Sequence, residues 1–171
     1  KQEKAMENQK RNWVAVDIAK DELELKDDRR GWKSRYESGA INRLVASFKK
    51  RSDVWVICEA TGGYERKLVA ALHAAQIKVC VVSPNRVRAF ARSEGVLAKT
   101  DKIDAAMILK FAKNKNLRPT APPSKEQVEV AALMDRRTQL SDFLTQEKNR
   151  VQNSPSAIHG LIKKMNRKSV V

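Results

Sequence analysis

Apolar residues fall in short runs and in helical stripes along this chain, and the two patterns alternate. Trp13-Val14-Ala15-Val16-Asp17 is an apolar run closed by an acid, which predicts a short buried strand. Asp21 to Lys26 alternates with period two, the mark of a strand with one wet face. Asp27-Asp28-Arg29-Arg30-Gly31 reads as a turn and Trp32 to Glu37 as the returning strand of a hairpin. Ile41, Leu44, Val45 and Phe48 recur at helical spacing, predicting an amphipathic helix from Ala40 to Lys50. Val54 to Glu59 is apolar on both faces until its last residue, as a central strand is. Ala60-Thr61-Gly62-Gly63 breaks it, and Tyr64 to Ala75 resumes a helical pattern with Leu68, Ala71, Leu72 and Ala75 inward. Lys78 to Pro84 is a second buried strand, stopped by its proline. A hairpin followed by β-α-β alternation makes an α/β fold, a mixed sheet covered by helices.

Beyond that sheet the pattern becomes helical. Asn85 to Lys99 is a basic run interrupted by Gly95. Thr100 is read as the N-cap of the next helix, with Asp101 in its first turn and Asp104 three residues on, so that both acids share one face. That helix continues through Ile103, Met107, Ile108 and Phe111, and Leu117-Arg118-Pro119 ends it. Thr120-Ala121-Pro122-Pro123 is a stiff connector and the predicted domain boundary. Ser124-Lys125-Glu126-Gln127 forms a capping-box pattern that opens a long helix. Val130, Leu133, Leu140, Leu144 and Val151 follow a three-and-four spacing, broken by Arg137, as a coiled-coil-like seam would. Ser154-Pro155 ends this helix, and Ala157 to Lys164 begins a short basic one. The expected organisation is a polar leader over 1–12, an α/β domain over 13–119, and a linker with a self-associating helical segment over 120–171.

Charge narrows the function. Among 171 residues, Lys and Arg number 35 against 20 Asp and Glu, a net charge of +15, and the sequence pI is near 10.1. That excess points to a polyanion, nucleic acid above all. Cys58 and Cys80 sit in apolar runs without metal-ligand spacing, so they are expected to be reduced core thiols rather than zinc ligands or a disulfide. No run approaches a membrane span and no signal peptide is visible, so a reducing cytoplasm is the expected compartment. The chain opens on Lys1 rather than Met, as a piece of a longer polypeptide would.

The candidate chemistry lies in acids. Asp17 and Glu59 close two predicted strands, at the edge where open α/β sheets place ligands. Asp101 and Asp104 stand at the start of a helix. Taken one at a time, each acid has an ordinary explanation as a solvated strand end or helix cap. Four carboxylates from separate elements would repel unless a divalent cation sat among them, and hard oxygen ligands without histidine or cysteine suit Mg2+ or Mn2+. Such ions support phosphoryl transfer. Arg86, Arg88, Arg92, Lys99 and Lys102 flank these acids and are candidate contacts to backbone phosphates.

The same residues carry a family resemblance. Val14 to Lys20 (Val-Ala-Val-Asp-Ile-Ala-Lys) resembles the first-strand motif of the DEDD insertion-sequence transposases related to the Piv DNA invertase, and Glu59-Ala60-Thr61-Gly62-Gly63-Tyr64 resembles their second acidic motif. Ser83 to Ala91 and Lys99 to Ala105 resemble later blocks in the same order, and Arg136 to Leu140 with Glu147 to Arg150 are similar to the long helix that follows. The likeness runs from residue 13 to about 153; each motif is weak alone, and the ordered set is specific. It implies an RNase H/RuvC-like fold in which Asp17, Glu59, Asp101 and Asp104 bind divalent metal, with Thr61 and Gly62 shaping the loop beside Glu59. It further implies cutting and rejoining of DNA during insertion-sequence transposition, a structured bridge RNA as guide in some members, and homo-oligomers (dimer or tetramer) held partly by the long helix.

One departure qualifies this. Complete members have a C-terminal domain supplying a serine nucleophile, and no stretch here matches it; Ser154 and Ser156, at a helix end, lack an adjacent base. This chain alone is therefore expected to bind metal and nucleic acid without completing strand exchange. Two other readings compete: a stand-alone RuvC-like nuclease acting on branched DNA, and a non-catalytic nucleic-acid-binding module whose acids are structural.

Overall fold

The computed structural model describes residues 11–96, 104–153 and 159–160. By internal contacts the chain divides into two compact units, Lys1–Pro122 and Pro123–Val171.

The first unit is built on a five-stranded sheet of order β3-β2-β1-β4-β5. Its strands are β1 (Asn12–Ile18), β2 (Glu22–Lys26), β3 (Gly31–Arg35), β4 (Val54–Glu59) and β5 (Lys78–Val82). β1 pairs antiparallel with β2, and β2 with β3. On its other side β1 pairs parallel with β4, and β4 with β5. This is the mixed sheet of the RNase H-like fold that the family resemblance implies.

Helices cover both faces, and alternation along the strands decides which residue meets which helix. Val14, Val16, Leu23 and Leu25 face one way and join the buried side chains of α1 (Ser38–Lys49) and α2 (Glu65–Ala74), among them Ile41, Phe48, Leu68 and Leu72. Trp13, Ala15, Trp55 and Ile57 face the other way, against α3 (Pro84–Ser93) and α4 (Ala105–Asn114). There the Trp13 and Trp55 rings lie 5.4 Å apart, and Phe90 of α3 meets Phe111 of α4 edge-on at 5.6 Å. Cys58 and Cys80 are buried, unbridged thiols; burial pushes the first up to about 12 and the second to about 11, so both stay neutral.

Two elements differ from the sequence reading. The basic run after β5 is largely helix: Pro84, read as a strand stop, occupies the first turn of α3, where its missing N–H costs nothing. Gly95, at φ +90°, follows the end of this helix. The described part of the acidic helix starts at Ala105, and Thr100, read as its N-cap, lies outside the described residues. Asp104 is its N-cap, with extended backbone and a carboxylate accepting the Met107 N–H at 2.9 Å. Asp caps as well as Thr, and Ala105-Ala106 behind it are strong helix formers. Asp104 thus stands just outside the helix as its cap rather than within its first turn.

The connector also has a packing role. The Thr120 N–H donates to Val79 O at 2.8 Å, and its hydroxyl accepts the Val81 N–H at 2.9 Å. The open edge of β5 is covered this way, which blunts an edge strand against stray pairing.

In the second unit, α5 (Lys125–Gln152) begins with the capping box of Ser124 and Gln127. Its large apolar residues between Val128 and Leu144 stay exposed: Leu133 is 71% accessible and Val130 58%. Among the described residues, no helix is long and apolar enough to cross a membrane.

Candidate active site

β1 and β4 are parallel neighbours, and their register matches Val16 with Cys58. One step further, Asp17 and Glu59 stand side by side. Alternation places both on the face that carries Trp13, Ala15, Trp55 and Ile57. Across the antiparallel pair, Asp17 is opposite Glu24, and directly opposed residues share a face. Three adjacent strands therefore present three carboxylates in a row. The β1/β4 junction is where the chain connections diverge, one toward β2 and one through α2 toward β5, the crevice that open α/β sheets use for ligands.

Glu59 bears the cost of this placement. Burial raises its pKa above the ordinary glutamate value, the Asp17 charge raises it further, and the Arg88 guanidinium pulls the other way. Glu59 Oε1 is buried and has no hydrogen-bond partner among the described residues. Native proteins rarely leave such an atom unsatisfied. Oxygen donors of this kind, one of them an orphaned buried carboxylate oxygen, match the chemistry of a hard divalent cation, although this pair alone does not enclose one.

The loop after Glu59 is held firmly. Glu65 Oε2 accepts the Thr61 N–H at 2.9 Å and the Gly63 N–H at 3.1 Å, and the Thr61 hydroxyl donates to Glu59 O at 3.3 Å. Gly62 at φ +58° and Gly63 at +95° take left-handed conformations that a side chain would strain.

α4 brings Asp104 to the same edge. Its C-terminal Lys113 pairs with Asp28 in the β2–β3 turn, at the far end of the sheet, so its N-terminus lies toward the strand ends bearing Asp17 and Glu59. Asp104 is exposed there, with one oxygen engaged as the cap. Among the described residues, no three Asp, Glu, His or Cys side chains are gathered closely enough to enclose an ion. Asp17 and Glu59 are thus brought together, whereas Asp104 shares their edge without closing a cluster. Asp101, Lys99 and Lys102 lie outside the described residues.

Arg86, Arg88 and Arg92 are exposed on α3. Arg88 acts electrostatically on Glu59. The Arg86 guanidinium sits 5.7 Å from the Phe111 ring centroid, a cation–π contact that leaves its charge available to solvent. Two residues escaped the sequence reading. Glu24 lies on the wet face of an alternating strand, and only the register reveals Asp17 opposite it. Glu65 follows the glycine turn at close range, but nothing in its spacing announces a backbone clamp.

The DEDD transposase family model of the IS110 type, described as "Transposase", matches residues 10–155. The chain belongs to this family. Two curated relatives of this chain are the pilin gene-inverting proteins of Moraxella lacunata and Moraxella bovis, each 32% identical over 107 residues, 63% of this chain and 33% of the relative. The chain spans about a third of the length of these relatives. Among solved structures, T. thermophilus RuvC in complex with a Holliday junction substrate is similar at 14% identity and a TM-score of 0.42, over 64% of this chain and 99% of that one.

Proposed function

We propose that this chain is the metal-binding catalytic part of a DNA transposase that cuts and rejoins DNA as an insertion sequence moves. The observation that carries the reading is the Asp17–Glu59 pair, with Glu59 Oε1 buried, unbonded and pressed by a neighbouring negative charge. Family membership supports the same reaction class.

In this reading Asp17, Glu59, Asp101 and Asp104 hold Mg2+ or Mn2+. When bound, the ion supplies Lewis-acid stabilisation of a phosphoryl oxygen and acidifies attacking water. The chain's own residues do the rest. The parallel register sets two carboxylates at fixed spacing, and the Glu65-clamped turn keeps the backbone beside Glu59 from shifting. Arg88 offsets part of the negative charge at Glu59, and with Arg86, Arg92, Lys99 and Lys102 forms a cationic rim for the DNA backbone. A structured bridge RNA is a further partner in this reading. So is a second copy of the chain, in dimers or tetramers, joined through the exposed apolar side of α5. The compartment is the cytoplasm.

The test is calorimetric titration of the chain and of Asp17→Asn with Mn2+, alongside cleavage of a branched DNA. Saturable Mn2+ binding that Asp17→Asn weakens, with Mn2+-dependent cutting, is the expected result. Equal Mn2+ affinity in the two proteins overturns the metal site.

A further inference from the structure

The opposite edge of the sheet carries a second charged feature, which the carboxylate site does not use. The β2–β3 turn holds Arg29 and Arg30, and the α1–β4 loop holds Lys50 and Arg51; folding places all four around one cleft of about 830 Å³. In the sequence these basic residues are some twenty positions apart. Asp27 draws them together: its buried carboxylate accepts the Arg29 and Arg30 N–H groups, both at 2.9 Å, and pairs with Arg51 at 3.1 Å. Asn12 ties the same loop down by donating to Ser52 O at 2.8 Å.

The charges do not cancel. Asp27 is matched by Arg51, and the other carboxylate of the cleft, Asp28, by Lys113. Arg29, Arg30 and Lys50 are exposed and have no carboxylate within ion-pairing distance among the described residues. Arg30 lies over the Trp32 ring, 5.2 Å from its centroid, which holds the guanidinium in place without neutralising it. The result is a concave, braced site with three uncompensated cations. By strand rise it lies about 16 Å from Asp17 along β1.

We propose that this cleft is a second binding site for a nucleic-acid phosphate backbone, distinct from the carboxylate edge and independent of metal. Its ligand chemistry is the phosphodiester chain, and DNA and RNA are its two possible sources. Guanidinium forks on a hydrogen-bonded turn suit phosphate oxygens, since the backbone that carries them is already held by Asp27. The site carries no base-reading requirement and should be indifferent to sequence.

The experiment measures binding of a 30-base-pair DNA duplex and of an RNA hairpin by fluorescence anisotropy over a salt series, in EDTA, for the chain and for Arg29→Ala/Arg30→Ala/Lys50→Ala. The variant should lose roughly tenfold in affinity, and its salt slope should fall by about two to three on the polymer that occupies the cleft. The polymer showing the larger loss is the source of the phosphates. A control, Lys33→Ala/Arg35→Ala/Arg43→Ala, removes three exposed cations from another surface and should lose much less. Mn2+ affinity at Asp17 and Glu59 should be unchanged in both variants. Should the triple variant fail to fold, Lys50→Glu alone, at an exposed helix end, should still weaken binding several-fold. Unchanged affinity and slope for both polymers, or equal loss in the control, overturns the proposal.

Discussion

Asp27 and Glu59 are both secluded carboxylates at the ends of one sheet, and the protein treats them in opposite ways. Asp27 receives two backbone N–H groups and a guanidinium, and although burial opposes it, these partners bring its pKa below the ordinary aspartate value. Glu59 is given Asp17 as a neighbour and an oxygen without a partner, and its pKa is raised. The difference separates structure from function. A buried charge that the protein satisfies itself is a brace, while one left wanting keeps its proton more readily or, in the reading proposed above, takes a cation.

The strongest way to break this comparison is to remove each acid. Asp27→Ala should cost about 3 kcal/mol in urea unfolding, because Arg51 and two N–H groups lose their partner. Glu59→Gln should cost almost nothing or stabilise the metal-free chain. Similar losses for both would erase the distinction. Next in size, Glu59→Gln and Asp17→Asn should each lower Mn2+ affinity more than about a hundredfold, exceeding the loss usual for an outer-shell group, whereas Asp27→Asn should leave it unchanged.

The two acids should also give opposite pH slopes, read as urea midpoints in EDTA. Asp27 titrates more easily unfolded than folded, so its contribution is complete above 3.8 and is lost as pH falls through the lower folded value. Glu59 holds its proton more tightly folded than unfolded. Its contribution is therefore complete below 4.5 and is lost as pH rises through the raised folded value. Glu59→Gln should remove that decline and leave the acid limb intact. The smallest effect belongs to α5. Leu133→Ala/Leu144→Ala should shift urea stability by less than about 0.5 kcal/mol, because both side chains are exposed, yet lower the mass measured by light scattering if copies associate there. An unchanged mass with a large stability loss would contradict the self-association reading.

Much of the sheet could be read from the residues. Val54 to Glu59 is apolar on both faces, so no helical alternative competes, and the strand ends on its acid as expected. The Ser124 capping box marked the start of α5 because Ser and Gln three apart satisfy orphan N–H groups by local bonds alone. The start of α4 was harder: the Asp104 cap, read only as one of two acids near a helix start, shows itself through its extended backbone and its bond to the Met107 N–H. The pairing of Glu24 with Asp17 had no sequence signal, because register depends on which strands meet.

By itself the sequence determined the strands, most of the helices, the placing of acids at strand ends, and an excess of positive charge, all of which follow from local periodicity and residue type. Tertiary structure alone decided that Asp17 stands beside Glu59, that Asp27 joins two distant basic loops, and that Arg88 bears on Glu59. The physical reason is the reach of the interactions. Hydrophobic patterning acts over a few residues of chain, whereas charge coupling and burial act over a few ångströms of space, and only the packed sheet turns one into the other.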